Sequence, residues 1–314
     1  MSDPKQHEAS NTAETEKSGT DDPLAAWMTR RHNAAHKERR SRDAYAYGVD
    51  VRRTRWFTQQ RVIGAALRAV ERGWHAQWST LRAKALEPDV SCPEGLLREL
   101  ARCVEILGAP TPAISCLRES AHLTGAWPTV TPLGTSHGDM HHLVLDLRAL
   151  ALLSAAERRF AIASALGHLQ CDHGVLFTAA LRGTAPDAPG WIKLLLRGLT
   201  PITRIMCFSA DRAGLLCSDD LEAAMEGMRQ QVAETRSSAT RWLPASASFD
   251  LRVIALREFH QSDVYARVTS ARVVNATRRA TATASAPPTT AHVPDDAWSV
   301  TRVDQRLTQR LGLY

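Results

Sequence analysis

The segment from residue 154 to residue 180 constrains the fold more than any other part of this chain. It reads SAAERRFAIASALGHLQCDHGVLFTAA, a long run of helix-forming residues. Ser154 and Glu157 form an S-x-x-E capping box, which predicts that a helix begins here. We expect this helix to be the core helix of the fold.

Polar side chains of this segment are concentrated on one side of the predicted helix. At ~100° per residue, four of them fall within an arc of about 100°. They are Ser164, His168, Cys171 and Asp172. His173 is rotated by about 140° from His168 on the same helix. We therefore expect His173 to lie behind His168 or at the surface, and not beside it as a second ligand.

The frame L-G-H-L-x-C-x-H-G is the surround of an H-E-x-x-H zinc site. In that motif two histidines four residues apart reach one Zn²⁺, and the glutamate activates the metal-bound water. Here His168 keeps the second ligand position, but Ser164 and Ala165 stand where the first histidine and the glutamate belong. Loss of the base alone costs ~10²–10⁴-fold in rate. The sequence therefore predicts that no catalytic residue remains at these two degenerate positions.

A second segment strengthens the comparison. Residues 203–217, TRIMCFSADRAGLLC, contain F-S-A-D-R-A-G, and the stretches 147–160 and 249–268 flank the two segments. Together they resemble the HtpX-like and CAAX-prenyl-protease-like zinc metallopeptidases, a gluzincin family. The resemblance covers roughly residues 93–268. It implies that Cys207 occupies the position of the third zinc ligand, a glutamate in the family, and that Asp211 is a supporting aspartate.

The resemblance implies an α+β fold that is mostly helical, with a gluzincin-like core, a small β-sheet and an N-terminal helical extension, in a soluble protein. Because the ligand positions are replaced while the surrounding residues remain, we expect a catalytically inactive homologue that acts as a binding or scaffolding module. Its former active-site cleft would hold a protein or peptide partner, and no cofactor is expected.

A zinc endopeptidase with a relocated metal site is the alternative. In that hypothesis His168, Asp172 and Cys207, with or without Cys171, bind zinc, because thiolate and imidazole ligands suit this metal. Against it, a free cysteine is usually a small buried apolar residue.

Composition changes along the chain predict four segments. These are an acidic disordered tail (1–22), a basic helical extension (23–92), the metallopeptidase-like domain (93–275), and a flexible linker with a tail that forms one or two helical turns (276–314). Helices are expected at 57–86 and 93–108, and strands within 111–120 and at 141–147.

Arginines and aromatic residues are interleaved between residues 27 and 61. The candidate anion-binding residues of this basic segment are Arg30, Arg31, Arg39, Arg40, Arg52 and Arg53. Clustered arginines suit nucleic acid or an anionic membrane surface. The other interpretation is a solvated helix face whose apolar residues dock on the core. Six scattered cysteines and no bilayer-spanning apolar run predict a cytoplasmic protein without a transmembrane segment.

Overall fold

The computed structural model describes residues 23–84, 92–118, 129–135, 141–184, 188–237, 247–280 and 293–313. The predicted disordered tail, 1–22, lies outside these ranges. The chain divides into two compact units, Met1–His36 and Lys37–Tyr314. All elements that follow the first helix belong to the second unit.

Helices predominate in the described residues. The N-terminal part holds α1 (Pro23–Tyr45), α2 (Gly48–Gln59), α3 (Arg61–Lys84) and α4 (Glu94–Leu107). The sheet holds β1 (Ala113–Leu117), β2 (Val130–Gly134) and β3 (His141–Asp146). The remaining helices are α5 (Leu147–Ala151), α6 (Ala155–Gln170), α7 (Gly174–Thr184), α8 (Gly190–Gly198), α9 (Thr200–Ser218), α10 (Leu221–Ser237), α11 (Phe249–His260), α12 (Asp263–Ala280) and α13 (Val300–Arg310). The predicted class, mostly helical α+β with a small sheet, is confirmed.

The sheet has the order β1-β3-β2, with β1 parallel and β2 antiparallel to β3. The central strand β3 is buried except at its first residue. Pro132 lies in the edge strand β2, which is one of the few places where a strand tolerates a residue without an N–H group. The predicted strands at 111–120 and 141–147 are therefore found, and the turn-rich segment between them supplies the edge.

The central helices α6 and α9 form the middle of the core. A Cβ atom on Gly167 of α6 would lie 2.7 Å from the Cβ of Ala213, and one on Gly214 of α9 would lie 2.5 Å from the Oγ of Ser164. Side chains larger than hydrogen at these two glycines would force the helices apart. The capping box of Ser154 and Glu157 is present at the start of α6, as predicted.

Several predicted helix boundaries are wrong. The predicted helix 57–86 is broken at Gln60, whose extended backbone (φ −64°, ψ 126°) separates α2 from α3. This turn allows Phe57 and Ile63 to pack against the same apolar cluster. Positions 85 and 86 lie outside the described residues. The stretch 249–268, which the family resemblance predicts to be one helix, forms two helices, because Gln261 and Ser262 interrupt it.

The described parts of the C-terminal segment contain more helix than the sequence predicts, and positions 281–292 of the predicted linker lie outside the described residues. Helix α13 is 11 residues long rather than one or two turns, and its Val303 and Leu307 are buried in apolar clusters. Helix α12 also continues past residue 275 to Ala280. Both helices bury apolar residues against the core. This packing stabilises them, and it cannot be predicted from a polar, proline-containing sequence. None of the helices in the described part of the chain is long and apolar enough to cross a membrane.

Candidate functional site

The degenerate motif positions lie inside the interface between α6 and α9. Ser164 and Ala165 are both buried, and Ser164 packs against Gly214. The Ser164 hydroxyl makes no hydrogen bond to any part of the chain that the structure describes. Neither residue supplies a group that activates water, since an alanine has no polar atom and this hydroxyl is enclosed by the second helix.

The core helix ends earlier than predicted, and this changes the geometry of the site. Helix α6 stops at Gln170, and a turn leads to α7 at Gly174. Asp172 in this turn has a positive φ of 60°, a conformation that aspartate tolerates better than most residues. The predicted arc of four polar residues on one helix is therefore wrong beyond Gln170, because Asp172 no longer follows the helical rotation.

Asp172 points toward solvent. Its side chain is 63% exposed, and Oδ2 lies 3.9 Å from Nη1 of Arg42. Surface carboxylates commonly form ion pairs of this kind with arginine, and such pairs contribute little to stability.

His173 is buried directly behind His168, which is the first of the two positions expected for it, and the surface alternative is wrong. The turn after α6 brings the two rings together, with Nδ1 of His168 3.0 Å from Nδ1 of His173. On the other side, Nε2 of His173 lies 3.0 Å from Oδ1 of Asp50. Both His173 and Asp50 are fully buried. Asp50 comes from the N-terminal helix α2, so the site includes a residue outside the span of the family resemblance.

The second oxygen of Asp50 is also bonded. The hydroxyl of Ser209, on α9, donates to Oδ2 of Asp50 at 2.5 Å. The backbone N–H of Tyr47 donates to the same hydroxyl at 3.0 Å. We call His168, His173, Asp50 and Ser209 the histidine–aspartate chain. It ties α2, α6 and α9 together through buried hydrogen bonds.

The hydrogen bonds allow the ring protons of the histidine–aspartate chain to be assigned. A carboxylate accepts, so Nε2 of His173 carries a proton and donates it to Asp50. We assign the proton shared by the two facing nitrogens to Nδ1 of His168, which donates to Nδ1 of His173. This assignment, made from the hydrogen-bond network, leaves the lone pair of His168 on Nε2.

Of the four residues in the histidine–aspartate chain, His168 alone is not fully buried. Its surroundings favour the neutral form of the ring. The Phe177 ring lies 4.9 Å from it. Burial, then the neighbouring His173 and then the cation of Arg252, lower the pKa of His168 well below its ordinary value. The ring is therefore a hydrogen-bond acceptor at neutral pH.

Cys207, which the family resemblance matches to the third zinc ligand, lies on α9. Its Sγ donates to the backbone oxygen of Arg204 at 3.4 Å. Burial raises the pKa of the Cys207 thiol to about 12, although the nearby Arg252 acts in the opposite direction. The side chain is consequently a neutral thiol at pH 7, whereas zinc binds the thiolate.

Asp211 forms a buried ion pair with Arg252. Its two oxygens accept from Nη2 and Nε of Arg252 at 2.6 and 2.8 Å, a bidentate pair buried between α9 and α11. Burial opposes the charge of Arg252, but Asp211 outweighs burial and the pKa of the guanidinium is raised. The predicted supporting role of Asp211 is thus directed toward an arginine in this chain.

A second buried arginine, Arg212, connects the end of α1 with the C-terminal helix α13. Arg212 is fully buried, and its Nη1 donates to the Tyr45 backbone oxygen at 3.2 Å and lies 2.7 Å from Oδ1 of Asp304. Asp304 Oδ2 accepts from the backbone N–H of Gly48 at 3.0 Å. The hydroxyls of Tyr47 and Thr308 are 2.8 Å apart. Through these contacts α13 packs beside α2 and α9.

The proposed metal ligands take separate roles. His168 bonds to His173, Cys207 to the backbone of its own helix, and Asp172 pairs with Arg42. Among the described residues there is no group of three His, Cys, Asp or Glu side chains arranged to hold a metal ion. The neighbouring Cys171 is buried, and burial raises the pKa of its thiol well above the ordinary value.

The candidate anion-binding arginines are only in part on the surface. Arg39, Arg40 and Arg52 are exposed and Arg53 is partly buried, while the side chains of Arg30 and Arg31 lie outside the described residues. The aromatic residues of the same segment divide: Tyr45 and Tyr47 are buried and Trp56 is exposed. The buried tyrosines fit a helix face whose apolar residues dock on the core, whereas anion binding by the arginines stays a prediction.

Sequence reasoning missed Asp50, Arg252 and the role of Ser209. A signal for the turn was present in Asp172-His173-Gly174, since aspartate and glycine are common where a helix ends. Comparisons with protein-family models, with curated proteins and with solved structures found no match.

Proposed function

We propose that this protein is a non-catalytic binding or scaffolding protein built on a metallopeptidase-like core. One observation carries the proposal. The guanidinium of Arg252 lies close enough to both remaining ligand positions to act on their pKa values: it adds to the burial that lowers the pKa of His168 and opposes the burial that raises the pKa of Cys207. A fixed cation is therefore next to the place where the resembled enzymes hold Zn²⁺.

The charges near this cation support the same conclusion. Zinc sites supply negative charge from glutamate or thiolate ligands. The glutamate expected at position 207 is a neutral thiol here, and the charge of Asp211 is matched by Arg252. A divalent cation at this point would meet a neutral imidazole, a neutral thiol and a neutralised carboxylate, so its desolvation would not be offset.

The neighbouring polar groups have structural roles in the proposal. His173 and Ser209 each bond to Asp50, and these bonds connect α2 with the turn after α6 and with α9. These contacts hold together the region around the former cleft. The proposed ligand of that region is a protein or peptide segment, bound near the half-buried His168, whose Nε2 accepts a hydrogen bond.

The competing function is a zinc endopeptidase that uses His168, Cys207 and Asp172. A fluorescent unfolded polypeptide such as labelled casein distinguishes the two. The proposal predicts that casein binds, is recovered intact with or without added zinc, and binds more weakly to the His168→Ala variant. Zinc-dependent cleavage that is lost in His168→Ala would overturn the proposal and establish the endopeptidase.

A further inference from the structure

The exposed face of α2 combines arginines with a large aromatic side chain. Arg52, Arg55, Trp56 and Gln59 are all exposed, and their spacing places them on one side of the helix. The Trp56 side chain is 57% exposed and stacks edge-on against Phe57, with the ring centroids 4.9 Å apart. Phe57 in turn packs against the core, so Trp56 is held in an outward position.

The next helix continues this pattern. On α3, Arg61, Val62, Ala65 and Arg68 are exposed, and Val62 is 82% exposed. The opposite side of α3 packs into the core through Leu67 and Val70. We call the residues Arg52, Arg55, Trp56, Arg61, Val62 and Arg68 the α2–α3 face.

The charge around this face is almost entirely positive. Residues 48–72 contain six arginines and two acidic residues. Of the two acidic residues, Asp50 is fully buried in the histidine–aspartate chain, which leaves Glu71. Helix α8 packs against α3. It contains Lys193 and Arg197 but no acidic residue. Two of its apolar residues are exposed, Trp191 and Leu194, the latter to 70%.

We propose that the α2–α3 face docks on an anionic lipid bilayer surface. The arginines supply attraction to acidic headgroups, and Trp56 and Val62 enter the boundary between headgroups and acyl chains. Nucleic acid also attracts arginines and stacks on tryptophan, but an aliphatic side chain such as Val62 has no aromatic face on which a base can stack. The exposed aliphatic residue therefore favours lipid. This inference is independent of the proposed function.

Flotation of the full-length protein with vesicles tests the inference. We expect binding to vesicles of phosphatidylcholine with phosphatidylglycerol, weak binding to phosphatidylcholine alone, and a loss of binding as salt is added. Each arginine near an anionic surface contributes about fivefold in affinity. The triple variant Arg52→Gln, Arg55→Gln, Arg61→Gln should therefore bind on the order of 100-fold more weakly.

The apolar contribution is tested by the double variant Trp56→Ser, Val62→Ser, which should lose about 10-fold or more in vesicle affinity. Leu152→Ser is the matched control, because Leu152 is 84% exposed and lies outside the face. Arg98→Gln is the control for charge, since Arg98 is an exposed arginine of α4. Both controls should bind vesicles like the unmodified protein, and thermal unfolding should show that all variants remain folded.

Three results would overturn the inference. The first is an absence of binding to the anionic vesicles, and the second is an equal loss of binding in Leu152→Ser and in Trp56→Ser, Val62→Ser. The third is binding to single- or double-stranded DNA that requires the three arginines while the vesicles are not bound. This last result would assign the face to nucleic acid.

Discussion

The carboxylate of Asp50 and the imidazole of His173 are 3.0 Å apart and completely enclosed by protein, although 123 residues separate them in the chain. Asp50 also accepts from Ser209, so one buried carboxylate satisfies a ring N–H and a hydroxyl. Removal of a buried acceptor leaves its donors without partners, which costs more than the net contribution of each bond.

Asp50→Asn should consequently reduce the free energy of unfolding by about 2–4 kcal/mol, since the amide cannot accept both hydrogen bonds at its two positions. Urea denaturation measures this loss. The matched control is Asp43→Asn, at an exposed carboxylate paired with Arg42, where we expect a change below about 1 kcal/mol. Equal losses in the two variants would contradict a structural role for Asp50.

Two buried serines provide an internal comparison. Ser209→Ala removes the hydroxyl that donates to Asp50 and accepts from Tyr47, and it should cost about 1–3 kcal/mol. Ser164→Ala removes a buried hydroxyl that makes no hydrogen bond within the described chain, and it should leave stability unchanged or raise it by up to about 1 kcal/mol. A loss in Ser164→Ala as large as that in Ser209→Ala would mean that the Ser164 hydroxyl has a bonding role.

The pH dependence of stability should report on His168. Its pKa in the folded protein lies well below its ordinary value of 6.5, because of burial first and of His173 and Arg252 next. The unfolded chain therefore binds more protons below pH 6.5, and the free energy of unfolding falls as the pH decreases below that value.

His168→Gln keeps a donor toward His173 but does not titrate. Between about pH 7.5 and about pH 5.5 this variant should lose less stability than the unmodified protein. Some pH dependence should remain, since burial also lowers the pKa of His141. Parallel pH profiles for the two proteins would show that His168 does not titrate in this way.

The C-terminal helix should be part of the cooperative core. Leu307 is fully buried, and Leu307→Ala should reduce the free energy of unfolding by about 2–5 kcal/mol. Gln305→Ala, at an exposed position of the same helix, should change it by less than about 0.5 kcal/mol. A flexible tail, by contrast, would tolerate both substitutions equally.

Local patterns in the sequence were sufficient to predict several elements. The start of α6 follows from its capping box, and the end of α4 follows from Gly108, which adopts the left-handed conformation. The central strand β3 follows from its apolar run. Each of these signals lies within a few residues of the element that it specifies.

The polar site could not be predicted in the same way. Asp50 and Ser209 are separated by 159 residues, so no local spacing indicates that they meet. The orientation of His173 depends on a single residue, Asp172, with a positive φ, which redirects the chain after α6. The prediction of an arc of polar residues assumes a continuous helix, so it wrongly places the Asp172 side chain beside His168.

We propose that Arg252, Asp211 and the neutral Cys207 thiol lie where the resembled enzymes bind zinc, and that this protein binds none there. Elemental analysis of tag-free protein, purified without chelator and compared with a His168→Ala, Cys207→Ala double variant, tests it most directly. We predict far less than one zinc per chain in both proteins, and no change in thermal stability on addition of zinc. About one zinc per chain, lost in the double variant, would contradict the claim and support a relocated catalytic site.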